Sequence, residues 1–289
     1  MDDSAGYMLA FPYYGGKFSH LKWLLPLLPT TRHYCEPYGG AGSVLINRRP
    51  SQIETYNDID GEIVNFFQVL RENPKDLIRL IDLTPYSRKE LEKSLDIDDS
   101  LSSLERARRF FVKAKQTSGG NCQTSSIGRW GFVVNHSRRG MAQRVSAWLS
   151  HEDLEKIALR LIRVQIENDA AITVIERYDS PDTLFYCDPP YPLESRGGSA
   201  YKHEMNHSDY LKLSELLHSI QGKAAISGYE CEIMRELFGD WYIIKNDPKT
   251  TVVNRGRGDD TLKTEILWTN YDPSICKFQP IVKGQARLF

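Results

Sequence analysis

Short apolar runs that end in turn residues alternate with helical-period segments at both ends of the chain, whereas its middle carries helical periods alone. Residues 33–36 form an apolar-aromatic run that enters a glycine-rich turn, 39–42, and then a helix start. Residues 53–60 and 163–169 read as further strands, each closing on acidic residues. The run 183–187 follows the turn-like Asp179-Ser180-Pro181-Asp182 and predicts a buried strand; 224–229 predicts another. Residues 241–245 and 264–269 predict an antiparallel pair. Helices are expected ahead of Pro26 and over 61–70, 171–178 and 208–221. Such alternation is the signature of an α/β fold. From 73 to 163 the apolar residues fall at helical spacing, as in Leu77, Leu80, Ile81 and again Ala107, Phe110, Phe111, Ala114, with a polar interruption at 116–126. The pattern therefore divides the chain into one α/β domain, 1–72 and 164–289, and an inserted, mostly helical domain, 73–163.

With 289 residues, 40% apolar and 26% charged, the chain can bury a sizeable core. No stretch approaches the ~20 apolar residues of a membrane span, and the first thirty residues lack the pattern of a secretory signal. We expect a cytoplasmic protein without a membrane partner. Five widely spaced cysteines contain no Cys-x-x-Cys pair, and His203 and His207 have no third ligand nearby, so neither a disulfide framework nor a metal is expected. The net charge is −1, yet 101–165 holds twelve Lys or Arg against four acids, +8, which leaves −9 elsewhere. This asymmetry suits a segment that binds nucleic acid. Arg129, Arg138, Arg139 and Arg144 are the candidate DNA contacts, although a solvated basic face has the same composition.

The densest chemistry lies at Asp188-Pro189-Pro190-Tyr191, directly after a predicted strand. Ligands of open α/β sheets bind at the carboxyl ends of strands. Consecutive prolines fix φ and lack N–H groups, so the Asp188 carboxylate and the Pro189 carbonyl can form a rigid pair of acceptors. Such a pair suits transfer to an exocyclic amine: each acceptor takes one amine hydrogen, and the nitrogen lone pair turns out of conjugation toward a donor. Tyr191 offers a stacking face for a base extruded from a duplex. Asp and Pro also favour ordinary turns, so the tetrapeptide alone admits a purely structural reading.

Upstream, Glu36-Pro37-Tyr38-Gly39-Gly40-Ala41-Gly42 begins like a dinucleotide turn, but Leu45 stands where the third glycine of G-x-G-x-x-G belongs. The turn admits a close ligand without requiring a phosphate. Asp58 is the best candidate to accept from ribose hydroxyls, and Asp60 is equally suited to cap the next helix. Asp169 suits either an adenine amine or a helix cap. Tyr13-Tyr14-Gly15-Gly16-Lys17 supplies aromatics for an adenine and a lysine for a carboxylate. Residues 193–207 have the composition of a lid. The basic loop Arg255-Gly256-Arg257-Gly258 suits phosphate or is a soluble turn.

Taken together, Tyr13-Tyr14-Gly15-Gly16-Lys17, Glu36 to Ser43 and Asp188-Pro189-Pro190-Tyr191 make the whole chain resemble the Dam-like, alpha-class family of DNA adenine-N6 methyltransferases. That resemblance implies S-adenosylmethionine as cofactor, double-stranded DNA as partner, and direct methyl transfer without metal or covalent intermediate. It implies a Rossmann-like, seven-stranded, mostly parallel sheet with a reversed last strand, and a target-recognition role for 73–163. It places Tyr13, Lys17, Glu36, Tyr38, Gly40, Gly42, Asp58, Asp169 and Asp188 at the cofactor, and Asp188, Pro189 and Tyr191 at the reaction. Tyr13 and Tyr38 stand where the family commonly has Trp and Phe. The middle segment does not look like that of members that methylate GATC, which leaves the recognition sequence open. A restriction-modification setting fits the family. N4-cytosine methylation, methylation of RNA or of a protein amide, and a DNA-binding relative without catalysis are the alternatives.

Overall fold

The computed structural model describes residues 6–96, 98, 100–117, 130–132, 144–196, 201–246 and 264–276. Its centre is a seven-stranded sheet of β1 (His33–Glu36), β2 (Ile53–Asn57), β3 (Val164–Glu167), β4 (Thr183–Cys187), β5 (Lys223–Tyr229), β6 (Tyr242–Lys245) and β7 (Glu265–Thr269). The strand order is β3-β2-β1-β4-β5-β7-β6. The first five strands in this order run parallel. β7 is antiparallel to both β5 and β6, so the sheet is Rossmann-like with a reversed strand near one edge.

The order places the topological switch between β1 and β4, from which the chain progresses outward in both directions. A crevice opens at such a point, beyond the carboxyl ends of the strands. Glu36, Asp58 and Asp188 lie on that edge because each closes or follows a parallel strand. Antiparallel β7 begins there instead: Glu265, its first residue, pairs with Tyr229, the last residue of β5.

Strand alternation divides the core between the two faces. Leu184 and Tyr186 of β4 join Phe11, Phe66 and Phe111 on one side, while Phe185 and Cys187 join Val174, Tyr210 and Phe238 on the other. All five residues of β4 are buried, as expected of a central parallel strand. Helix α3 (Gly61–Glu72) opens at Asp60, whose side chain accepts from the Glu62 amide, so the cap reading of Asp60 holds. Helices α9 (Ala171–Tyr178) and α10 (His207–Ser219) match the predicted spans closely, and a capping box of Asn206 and Asp209 starts α10. Ahead of Pro26 the expected helix is broken into a 3-10 turn (Lys17–His20), α1 (Leu21–Leu24) and a second 3-10 turn (Leu25–Leu27).

The middle of the chain is helical where described: α4 (Pro74–Asp82), α5 (Arg88–Leu95), α6 (Ser103–Gln116), α7 (Arg144–Leu149) and α8 (Asp153–Leu161). These helices extend the sheet's core, with Phe111 of α6 stacked on Phe66 of α3 at 5.8 Å between ring centres. Part of the basic surplus is engaged internally: Arg106 pairs with Glu62, Arg108 with Glu90 and Glu105, Arg109 with Glu105, and Arg160 with Glu54. No helix is long and apolar enough to cross a membrane among the described residues.

Candidate active site

A cavity of ≈ 360 Å³ occupies the switch point. That volume lies within the range of small-molecule sites. Its wall combines the N-terminal Tyr13 to Lys17 segment, the β1 exit from Glu36 to Ala41, Asp58 to Asp60 after β2, and Asp188 and Pro190 after β4. Tyr201, His203, Glu204 and Met205 cover it from the segment that precedes α10.

At the end of the cavity beside β4, Lys17 Nζ lies 2.7 Å from Asp188 Oδ1. Ser227 donates to the same oxygen at 2.9 Å, and Tyr186 Oη stands 3.1 Å from Ser227 Oγ. Because a carboxylate only accepts and Ser227 has one proton, Tyr186 is the donor to Ser227. Among the described residues both polar partners of Asp188 therefore sit on Oδ1, with Oδ2 left for a ligand. Burial pushes the Asp188 carboxyl above its ordinary range, and the Lys17 ammonium opposes that shift. Burial alone would lower Lys17, yet Asp188 and Glu265 more than offset it and keep the amine charged. Pro189 is buried and is not part of the cavity wall, whereas the Pro190 carbonyl accepts from the Tyr210 hydroxyl.

Tyr191 lies behind Asp188 and not on the cavity wall. It is only 5% exposed; Lys17 Nζ sits 4.8 Å from its ring centre, Tyr229 meets the ring edge-on, and its hydroxyl donates to Glu265. Tyr14 and Tyr201, edge to face at 5.5 Å, are aromatics that do line the cavity.

The other end is shaped by the glycine turn. Gly40 adopts φ +50°, and a Cβ there would stand 3.0 Å from the Tyr13 ring, so this position favours glycine both by conformation and by contact. Its amide donates to Asp58 Oδ2 at 2.8 Å, and the Asp60 amide donates to Oδ1 at 2.8 Å. Asp58 is thus fixed against the turn; burial raises its carboxyl to about 6 against the pull of those two amides. Gly42 caps α2 (Ser43–Asn47) at φ +61° and lies behind the wall, against Ile46, Phe67 and Tyr56. Glu36 is buried, accepts from the Tyr34 hydroxyl at 2.6 Å, and is raised by burial to about 8.

The structure brings Tyr13, Lys17, Glu36, Tyr38, Gly40, Asp58 and Asp188 to one cavity. Asp169 is apart: its side chain pairs with Arg177 at 2.8 Å and accepts from its neighbour Ala170, while its backbone is held by Asn57. Arg129, Arg138 and Arg139 lie outside the described residues, as does the 255–258 loop, and Arg144 is described only as the first residue of α7. Ser227, Glu265 and Tyr201 were not legible as site residues. Ser227 had a usable signal, its place near the end of the strand beside β4. Asp60, read as a cap, also lines the cavity and pairs with Lys202 at 2.9 Å.

A family model described as D12 class N6 adenine-specific DNA methyltransferase matches residues 13–252. Among curated proteins, the chain is 28% identical over 276 residues to the Type II methyltransferase M1.LlaDCHI of Lactococcus lactis subsp. cremoris, covering 89% of this chain and 93% of that protein. It is 26% identical over 189 residues to a DNA adenine methylase of Vibrio cholerae serotype O1, covering 63% and 64% respectively. A DNA N-6-adenine-methyltransferase of Escherichia phage P1 is 26% identical over 80% of this chain but only 31% of its own length.

Proposed function

The chain belongs to the D12 class of N6 adenine-specific DNA methyltransferases, and from that premise we propose that it methylates adenine N6 in duplex DNA with S-adenosylmethionine, after flipping the base, in the cytoplasm. When bound, S-adenosylmethionine supplies an electrophilic methyl group. The cavity's residues fit such a ligand: Asp58 presents a buried carboxylate at the end of β2, where nucleotide-binding α/β folds accept ribose hydroxyls, and the Tyr13 ring packs at the glycine turn. Lys17, Glu36, Tyr38 and Gly40 complete the holding surface in this reading. Asp169 would join it only by releasing Arg177.

Asp188 Oδ2 accepts one hydrogen of the adenine amine, and the Pro189 carbonyl, which lies off the cavity wall, takes the other once the tetrapeptide shifts toward the ligand; the pair frees the nitrogen lone pair for attack. The new N–C bond would form as the methyl's bond to sulfur breaks, leaving a neutral thioether; the nitrogen then loses a proton to solvent, and the Asp188 carboxylate is the nearby group able to stabilise the positive charge that precedes that loss. Extruding the base costs a few kcal/mol, and stacking on an aromatic ring recovers roughly 1–3 kcal/mol. Tyr14 and Tyr201 already face the cavity. Stacking on Tyr191 requires Lys17 to move off its ring. Residues 73–163 serve target recognition in this reading, with Arg129, Arg138, Arg139 and Arg144 on phosphate or base edges.

The observation that carries the proposal is the position of Asp188, at the cavity with both polar partners on one oxygen. The test is to incubate the protein with duplex DNA and methyl-labelled S-adenosylmethionine, digest the DNA to nucleosides and identify the labelled one. Label in N6-methyladenosine of DNA is expected. Label in methylcytosine, or in RNA alone, rejects the assignment.

A further inference from the structure

Glu265 is buried and does not line the cavity. It is 4% exposed and built into the start of β7 beside Tyr229. Its carboxylate nevertheless stands 3.6 Å from Lys17 Nζ and accepts the Tyr191 hydroxyl. Lys17 is itself held by the Gly15 carbonyl at 2.8 Å and overlies the Tyr191 ring. One ammonium therefore lies between two buried carboxylates, and only one of the two faces the cavity.

We propose that Glu265 is a positioning residue for Asp188, acting through Lys17 and Tyr191. This rests on the reading of Asp188 as the acceptor of the substrate amine. A lysine paired with Asp188 alone would neutralise it and weaken its hold on an amine hydrogen. Glu265 draws on the same positive charge, so the three groups together retain one negative charge. It also anchors Lys17 to β7, which keeps the ammonium on Oδ1 and off the oxygen that meets the substrate. The reversed strand makes this possible, because only antiparallel β7 starts at the edge where β4 and β5 end.

Other titratable groups also face Asp188. Lys17 and His20 come from the N-terminal turn, Glu36 from β1, Tyr186 and Cys187 from β4, Tyr191 from the tetrapeptide, Tyr201 from the cover, and Tyr229 from β5. Burial holds the tyrosines and the Cys187 thiol in their neutral forms and drives His20 down to about 4. Glu36, at about 8, titrates in the working range but is common to parent and variant, so a comparison between them isolates Glu265.

The test compares Glu265→Gln with the parent. The amide keeps an acceptor for Tyr191 and removes only the charge. Loss of a neighbouring negative charge lowers the Asp188 carboxyl, so the acid limb of the kcat profile should move down by about one pH unit. At neutral pH kcat should fall roughly ten-fold because the acceptor is weaker, with the S-adenosylmethionine Kd within about two-fold. Glu265→Asp should bring the acid limb back toward the parent's. Coincident limbs in parent and Gln variant, or an Asp variant displaced as far as the Gln variant, overturn the proposal. A second readout needs no activity: with 13C-labelled aspartate, the Asp188 carboxyl midpoint should lie lower in Glu265→Gln than in the parent, because a neighbouring negative charge raises it. Equal midpoints in parent and Gln variant also overturn the role. A parent that methylates no adenine removes the functional reading instead, while the carboxyl titration still decides whether Glu265 is coupled to Asp188.

Discussion

Lys17 and Asp188, which are far apart in the chain, meet at 2.7 Å at the cavity. The pair is nearly closed to solvent, with side chains 5% and 16% exposed. An ion pair so placed changes the chemistry of both members, because removing one leaves the other charge buried and unpaired.

Replacing Lys17 by Met should therefore act through Asp188. Without the ammonium, burial dominates and the carboxyl holds its proton to higher pH. In the proposed reaction a protonated carboxyl is a weaker acceptor of an amine hydrogen and carries no charge to stabilise the developing cation. The single-turnover rate at pH 7 should fall about ten- to a hundred-fold, and the deficit should narrow as the pH is raised. A deficit that is equal at every pH would assign Lys17 to some other task.

Asp58 predicts a pH dependence of cofactor binding. Its carboxyl is raised to about 6, and the ionised form is the better acceptor for ribose hydroxyls. As pH falls through 6 the group becomes neutral, and the S-adenosylmethionine Kd measured by calorimetry should rise. In Asp58→Asn the Kd should be weaker at neutral pH and nearly flat across the same range.

Glu36 predicts the stability of the ligand-free protein. Its folded carboxyl is raised to about 8, well above the ordinary value of 4.5. Between those values the unfolded chain has lost the proton and the folded chain keeps it, so stability falls as pH rises and levels off above 8. Glu36→Gln removes that dependence and keeps an acceptor for Tyr34. Its Tm should match the parent's near pH 4.5 and exceed it increasingly toward pH 8. A parent that is as stable as the variant at pH 8 refutes this.

Phe111 joins the middle helices to the sheet's core. It is fully buried, stacked on Phe66 and 5.7 Å from the Trp148 ring. Phe111→Ala should cost about 3–5 kcal/mol in denaturant unfolding. A loss below 1 kcal/mol would show that α6 is not anchored through this ring.

Elements with local signals were legible from sequence. β4 occupies the predicted 183–187 and α9 the predicted 171–178 because turn residues bound each, and Asp60 caps α3 as a side-chain acceptor before an amphipathic helix should. Asp188, Asp58 and Gly40 were legible because strand ends and glycine turns carry chemistry by position. Partnerships across the fold were not. That Glu265 meets Lys17 depends on β7 inserting between β5 and β6, which no local pattern encodes. Asp169 took Arg177, two turns along α9, a contact that helical spacing alone does not reveal for a residue ahead of the helix. Tyr191 reads in the sequence as a stacking face for a base, but a lysine from the N-terminal segment lies over its ring.

The insertion of β7 between two earlier strands has a consequence for biosynthesis. A nascent polypeptide can pair β1 to β5 and form the glycine turn while its later residues are still inside the ribosome, but Lys17 then has only one of its two carboxylates. The final arrangement of charges around Asp188 waits for β7, which follows every parallel strand in the chain. Docking of β7, not closure of the parallel strands, is the step that completes the charges around Asp188.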